Sequence, residues 1–327
     1  MFIKDYSKIK LDLYKLKKFD ELKKTYNGFK INLKKYFNKN KPIKIYFKNI
    51  NCPLCKSKNN GKIFVIDNFT YCECFKCKSI FNNPILKDKF YKEIYKVGAY
   101  KDYVKNLTEK GKKIRANLTE RRKYNQISSY FKKRKNLKLL DIGCGTGTLI
   151  SLFVKNNWKT LGIEPSKFSY MIAKSKNLNV TNIFFEEFNC KKKYDVITLF
   201  GVLEHVTNPY EILSKATKYL KKGGIIVFEV PSADSLIMNY LKSGHKLNQI
   251  YRFIEAARHL TFFSENGIEI ICKKLNLKII FRETNGLDIQ TIFNDRINNN
   301  IKEILNIQDL INNMNIGDHY RFFLTKN

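Results

Sequence analysis

An α/β fold, a parallel sheet covered by helices on both faces and preceded by a small cysteine-bearing module, is what the 327 residues predict. Three observations carry that prediction. From Leu137 onward, short apolar runs of strand character alternate with runs of helical periodicity. Within residues 139–150, LLDIGCGTGTLI, an apolar run meets three glycines at every second position and then turns apolar again, the pattern of a strand bending sharply into a helix. Ahead of both lie two Cys-x-x-Cys pairs around a short segment of alternating apolar residues.

In chain order, residues 1–45 are Lys-rich, with Ile9, Leu11, Leu13, Leu16, Phe19 and Leu22 at mixed helical spacing. They predict a basic helical extension with solvated lysine faces, a basic arm for RNA or a membrane surface being the alternative. Residues 46–85 hold the cysteine module, in which Ile63 to Tyr71 reads as a strand and Asn59-Asn60-Gly61 as a turn. Residues 86–135 are polar and helical, a linker in which Thr119 is the expected N-cap of the helix in NLTERRKYNQISSYF. Residues 136–327 form the α/β part. Strands are expected at LKLLDIG, WKTLGIEPS, VTNIFFEEF, KYDVITLFG, GIIVFEVP, LKIIFRET and the closing HYRFFLTKN. Helices are expected at TGTLISLFVKNN, SKFSYMIAKSKN, NPYEILSKATKYLKKGG, SENGIEIICKKLN and within Asn294 to Asn315.

A hydrophobic content of 43%, with 14% aromatic residues, is enough for a sizeable core. No stretch reaches the ~18 apolar residues of a membrane span, and MFIKDYSKIKLDLYKLKKFD lacks the apolar centre of a signal peptide, so a cytoplasmic protein is expected. The formal charge of +33 invites a nucleic-acid partner, yet only nine of the 62 Lys plus Arg residues are Arg. The chain is equally heavy in Asn, Ile, Tyr and Phe, which share A/T-rich codons with Lys, so genome composition accounts for much of the charge; weak attachment to an acidic surface is the alternative.

The glycine loop excludes some ligands directly. A nucleotide-hydrolase loop needs Lys and Ser or Thr after its last glycine, where this chain has Thr148-Leu149. A dinucleotide fingerprint needs its third glycine one place later than Gly147. Asp141-x-Gly143-x-Gly145-x-Gly147 instead resembles the first motif of the class I S-adenosylmethionine-dependent methyltransferases. The likeness continues with Glu164 in LGIEPS, 17 residues beyond Gly147, with YDVITLFGVLEHVTNPYEIL, with LKKGGIIVFEVPSADSL and with RHLTFFSENGIEII. It covers residues 137–281 and implies a methyltransferase domain over 136–327, built on a Rossmann-like seven-stranded, mostly parallel sheet with an antiparallel last strand.

The resemblance also implies roles. The three glycines admit the methionine part of S-adenosylmethionine, Asp141 orients their loop or receives the cofactor's ammonium through water, and Glu164 accepts hydrogen bonds from the ribose hydroxyls. Glu187 and Phe188 would wall the adenine. Cys144, between glycines, reads as a small filler rather than a nucleophile. Methyl transfer requires alignment above all, and a base only for a weakly acidic acceptor. His205 and His259 are the candidate bases, since both fall in loops at the carboxyl ends of strands; for each, a backbone-bonded His that fixes its loop is the alternative. The N-methylating tetrad after the fourth strand is absent, Leu199-Phe200-Gly201-Val202 standing there, and so is a Pro-Cys nucleophile for cytosine.

Cys52-x-x-Cys55 and Cys74-x-x-Cys77, with 18 residues between the pairs, have the spacing of a closed tetrahedral zinc site, with Cys72 as an alternative ligand and buried free thiols as the alternative to metal. Four thiolates leave no open position, so such a zinc is structural. The module resembles the zinc-ribbon head of methyltransferases in surface-polysaccharide, modified-sugar and natural-product pathways, and some ribosomal-RNA methyltransferases begin similarly. The expected acceptor is therefore a small molecule or carbohydrate, methylated at oxygen or carbon, with RNA docked through the head and the lysine surface as the alternative. In either case the head is expected to help recognise or cover the acceptor.

Overall fold

The computed structural model describes residues 26–27, 30–96, 119–131, 134–247, 253–293 and 301–326. Most of the basic extension and residues 97–118 of the linker lie outside the described residues. Three antiparallel strands, β1 (Asn60–Ile66), β2 (Phe69–Cys74) and β3 (Ile80–Asn82), form the cysteine module. Ile63 to Tyr71 is thus a hairpin and not one strand. Its turn is at Asp67-Asn68, both in the left-handed region at φ +49° and +69°, rather than at residues 59–61. Asp and Asn tolerate that backbone through local hydrogen bonds, and two consecutive positive φ angles match the twist of paired strands.

Helix α1 (Arg121–Tyr130) follows, preceded by Glu120 in helical geometry with no side-chain cap; Thr119 does not serve as its N-cap. Then come β4 (Lys138–Ile142), α2 (Thr148–Lys155), β5 (Lys159–Ile163), α3 (Lys167–Ser175), β6 (Val180–Thr181) and β7 (Tyr194–Phe200). The segment VTNIFFEEF keeps only two strand residues and coils into a 3-10 turn at Phe185–Glu187. After it run α4 (Pro209–Tyr219), β8 (Leu220–Pro231), α5 (Leu236–Lys242), β9 (Thr261–Phe262), α6 (Glu265–Lys274), β10 (Leu277–Asn285), α7 (Ile301–Asn313) and β11 (His319–Lys326).

Seven strands pair in the order β6-β5-β4-β7-β8-β11-β10. The links from β6 to β8 are parallel, whereas β11 runs antiparallel to both neighbours, as expected for the last strand. Side-chain alternation along each strand feeds two cores. Leu139, Val196, Ile225, Val227 and Phe323 meet α1 and α2 on one face. Leu140, Ile197, Ile226, Phe228 and Phe322 meet α4 and α6 on the other. The second core continues into the cysteine module through Leu54, Phe81 and the four paired cysteines. The module's sheet is completed by β9, from the far side of the sequence, in the order β9-β3-β2-β1. No helix among the described residues is long and apolar enough to cross a membrane.

Candidate active site and cysteine centre

The glycine loop follows β4 at the carboxyl edge of the sheet, the edge where open α/β sheets receive ligands. Gly143 and Gly147 lie at φ +72° and +73°, and Gly147 caps α2. A Cβ on Gly143 would stand 2.5 Å from Val202 Cγ2, so only glycine fits there. The amides of Gly143 and Cys144 both donate to the Ile163 carbonyl, at 2.8 and 3.1 Å. Glu164 binds the loop through the Gly145 amide (2.8 Å to Oε2), and its other oxygen accepts from Ser166 N at 2.8 Å.

Asp141 bonds across to the neighbouring strand β7. Its carboxyl is buried and accepts from Thr198 Oγ1 at 2.7 Å, so Glu164, not Asp141, ties the loop directly. Burial pushes both carboxyls up to about 7. Cys144 fills a small apolar pocket with Ile150 and Ala173, and burial raises its thiol. Glu187 is exposed on its 3-10 turn, while the Phe188 ring is packed against Phe185 and Tyr219 at centroid distances of 6.0 and 5.2 Å. Sequence reasoning passed over Glu120, just ahead of α1, and Lys123 on it, a buried pair (3.2 Å) whose charges reach Asp141. A polar segment without a motif carried no signal for them.

His205 and His259 come together with ring centroids 5.1 Å apart. His205 sits on the 3-10 turn Leu203–His205 after β7, and His259 in the loop before β9. His205 Nδ1 lies 2.8 Å from the Arg258 carbonyl, and His259 Nδ1 lies 2.8 Å from the Phe253 carbonyl. Since carbonyls only accept, each Nδ1 carries the proton and each Nε2 is the basic nitrogen. Desolvation lowers both imidazoles, His205 well below its ordinary range and His259 to about 4, so both are neutral at pH 7. Glu204 Oε1 is 3.8 Å from His205 Nε2, its Oε2 is buried without a hydrogen-bond partner among the described residues, and burial lifts the carboxyl to about 7. Each imidazole is therefore fixed to a backbone carbonyl through Nδ1 and leaves its Nε2 unprotonated.

The four cysteine sulfurs of Cys52, Cys55, Cys74 and Cys77 all lie within 4.8 Å of one another and are buried. Cys52 and Cys77 are 3.5 Å apart, Cys55 and Cys74 3.4 Å. The two knuckles match: Lys56 N donates to Cys52 O and Lys78 N to Cys74 O, with Lys56 and Lys78 at φ +66° and +65°. A tetrahedron with Zn–S of about 2.3 Å has sulfur edges of roughly 3.8 Å, so this donor set fits zinc with small adjustment. Cys72 stands outside the cluster, its thiol facing Asn83 O at 3.8 Å. Within the Cys52–Cys77 pair the shared hydrogen bond lowers one thiol, Cys77, and raises the other.

Comparison with known proteins bears on the domain and its fold. The family model described as "Methyltransferase domain" matches residues 112–280, just over half of the chain. A ubiquinone biosynthesis O-methyltransferase of Rhodopseudomonas palustris (strain TIE-1) is 30% identical over 112 residues, 32% of this chain and 44% of that protein. The match thus spans less than half of that relative's length. Another of the same name, from Pelagibacter ubique (strain HTCC1062), is 28% identical over 177 residues, 52% of this chain and 72% of the relative. The crystal structure of the magnesium protoporphyrin IX methyltransferase ChlM from Synechocystis PCC 6803, with bound SAH, superposes with a TM-score of 0.50 at 12% identity. It covers 74% of this chain and 100% of that one, a likeness of fold.

Proposed function

The chain belongs to the methyltransferase-domain family, and from that membership we propose that it transfers a methyl group from S-adenosylmethionine to an oxygen of a small-molecule acceptor. The observation that carries this reading is the glycine loop bonded to a buried carboxylate, Gly145 N to Glu164 Oε2 at 2.8 Å. When bound, the cofactor would supply an electrophilic methyl on a sulfonium. Glu164 keeps lone pairs for a ribose diol beyond the two amides it already accepts. Gly143, Gly145 and Gly147 present backbone to the methionine part, Asp141 faces its ammonium through water, and Glu187 with Phe188 borders the adenine.

At the other end of the site, His205 and His259 are neutral bases with fixed tautomers, and either Nε2 would take the proton of an acceptor hydroxyl as its oxygen bonds the methyl carbon and the sulfonium S–C bond breaks to leave a neutral thioether. Oxygen is the acceptor atom that the names of the O-methyltransferase relatives support. Residues 46–85 serve in this reading as a zinc-binding module, with Cys52, Cys55, Cys74 and Cys77 as ligands and a structural role for the metal.

Calorimetry with S-adenosylmethionine on the wild type and on Glu164→Ala tests the cofactor assignment. Removing a charged acceptor predicts at least a tenfold loss of affinity, about 1.4 kcal/mol or more. A wild type that does not bind, or a variant that binds equally well, overturns it. Metal analysis of protein purified without chelator tests the zinc, with about one zinc per chain expected for a four-thiolate site.

A further inference from the structure

We propose that the cysteine module is the mount that holds the His259 loop against the Glu204-His205 turn, and that Ser264 is the positioning residue through which it does so. This rests on the reading of His259 as a proton acceptor and of the four cysteines as zinc ligands. The loop from Arg258 to Ser264 is held from three sides. The turn after β7 contributes His205 Nδ1–H to Arg258 O and accepts Leu260 N at Glu204 O, both at 2.8 Å. The end of β8 exchanges two bonds with Phe263, through Pro231 O and Ala233 N, each 2.9 Å.

The third side is the module and the chain just after it. Tyr71 OH donates to His259 O at 3.1 Å, Tyr91 OH to Arg258 O at 3.3 Å and Asn82 N to Leu260 O at 2.9 Å. Strand β9 pairs with β3, Thr261 opposite Phe81 and Phe262 opposite Ile80. Ser264 then closes the link to the metal knuckle. One consistent set of protons satisfies its contacts: Ser264 Oγ–H donates to Cys77 O, and Ser79 Oγ–H donates to Ser264 Oγ at 2.7 Å. Ser264 N–H donates to Ser79 Oγ at 3.2 Å, and Gly267 N–H donates to Ser264 Oγ at 3.0 Å, capping α6.

A single side chain thus joins the carbonyl of a ligand cysteine to the start of α6, five residues from His259. The glycine loop is tied instead to Ile163 and Glu164, and among the described residues it makes no hydrogen bond to the module. Releasing the knuckle should therefore let water reach His259 without disturbing cofactor binding. The charged and titratable groups around His259 are Glu204 and His205 on the facing turn, with a Glu204 carboxylate oxygen within 4.8 Å of a nitrogen of each imidazole, Glu255 and Arg258 on its own loop, and His319 on β11.

The test uses the full chain with ¹⁵N-labelled histidine, followed by long-range ¹H–¹⁵N spectra over a pH series, with S-adenosylmethionine calorimetry on each sample. Samples are the zinc-loaded protein, the chelator-stripped protein, and zinc-loaded Ser264→Ala, Ser79→Ala and Ser264→Thr. The loaded wild type should keep His259 neutral down to about pH 4. Stripping, or loss of either serine hydroxyl, should raise its titration by at least about one unit toward the ordinary 6.5, with cofactor affinity changed less than about threefold. Ser264→Thr, which keeps the hydroxyl, should restore the wild-type titration. An unmoved His259 in the stripped protein and both alanine variants overturns the mount, and so does loss of cofactor binding together with the metal. If the purified protein carries no zinc, the zinc reading fails separately, and the serine variants alone decide the mount.

Discussion

Glu164 is pulled in opposite directions, and the balance sets a pH dependence. Burial lifts its carboxyl to about 7, against two amide donors that favour the charged form. Ribose hydroxyls donate to a carboxylate more strongly than to a carboxylic acid, so the ionised form should bind the cofactor better. Affinity should therefore rise as pH goes up through about 7, with a proton released on binding below that value. Calorimetry at pH values on either side, in buffers of different ionisation enthalpy, measures both effects. Glu164→Gln should weaken binding and flatten the dependence; a slope that survives in the variant belongs to Asp141, which titrates in the same range. The glycines and Glu164 were legible because strand, turn and acid follow one another within one short stretch. That Glu164 rather than Asp141 holds the loop was not, because it depends on how β4 and β5 register, and because the Asp141 partner, Thr198, comes from the distant strand β7. His205 and His259 could be read as loop residues, but their approach to 5.1 Å is set by a carbonyl, Arg258 O, that no pattern marks.

Helix α6 shows the same limit for a whole element. Its existence was plain from SENGIEIICKKLN, yet its Ser264 cap and its docking on the cysteine module were not. The two-residue strand β9 is too short to announce itself, and its pairing with β3 joins residues about 180 positions apart. The Asp67-Asn68 turn was missed for a related reason: Asn59-Asn60-Gly61 has the stronger turn composition, but pairing in β1 takes up Asn60 and Gly61. Gly267 tests the docking. In an open helix, Gly→Ala stabilises by about 1 kcal/mol. Here the added Cβ would lie 2.4 Å from Ser79 Oγ, 2.8 Å from Leu54 Cδ1 and 3.0 Å from Ser264 Oγ. Leu54 belongs to the first knuckle and Ser79 borders the second, so the methyl would wedge α6 from both. The sign should reverse, Gly267→Ala costing about 1–3 kcal/mol in denaturant melts. A variant as stable as the wild type or more so would mean that α6 does not sit as close to the knuckles as this packing requires.

Across the whole molecule, the two halves of the sheet are locked by a charge where apolar packing would have been expected. Arg321 lies on the antiparallel strand β11 and is fully buried. Its guanidinium reaches Glu229 on β8 at 2.5 Å, Glu283 on β10 at 3.6 Å and Gln126 on α1 at 2.6 Å, and it stands 5.6 Å from the Phe200 ring centroid at the end of β7. Five elements thus share one cation, three of them distant in sequence from β11. In HYRFFLTKN the Arg looks like an intrusion into an apolar strand; only the register that puts Glu229 and Glu283 opposite it gives it a purpose. Desolvation opposes the charge, so an apolar replacement of the entire cluster could be neutral, whereas Arg321→Met alone takes the Arg321 cation away from buried Glu283 and half-buried Glu229. That variant should lose about 3–5 kcal/mol at pH 7. The sign with pH follows from linkage: the stranded carboxyls will have raised pKa values, so the folded variant binds more protons than its unfolded chain at mildly acidic pH, and its deficit relative to wild type should shrink as pH falls. Urea melts of both proteins at pH 7 and at about pH 5 measure the difference, and adding Glu229→Gln and Glu283→Gln to Arg321→Met should recover part of the pH 7 loss and remove its pH dependence. A deficit that does not change with pH, or that survives neutralisation of both glutamates, would mean that Arg321 acts through its packing against Phe200 and not through its charge.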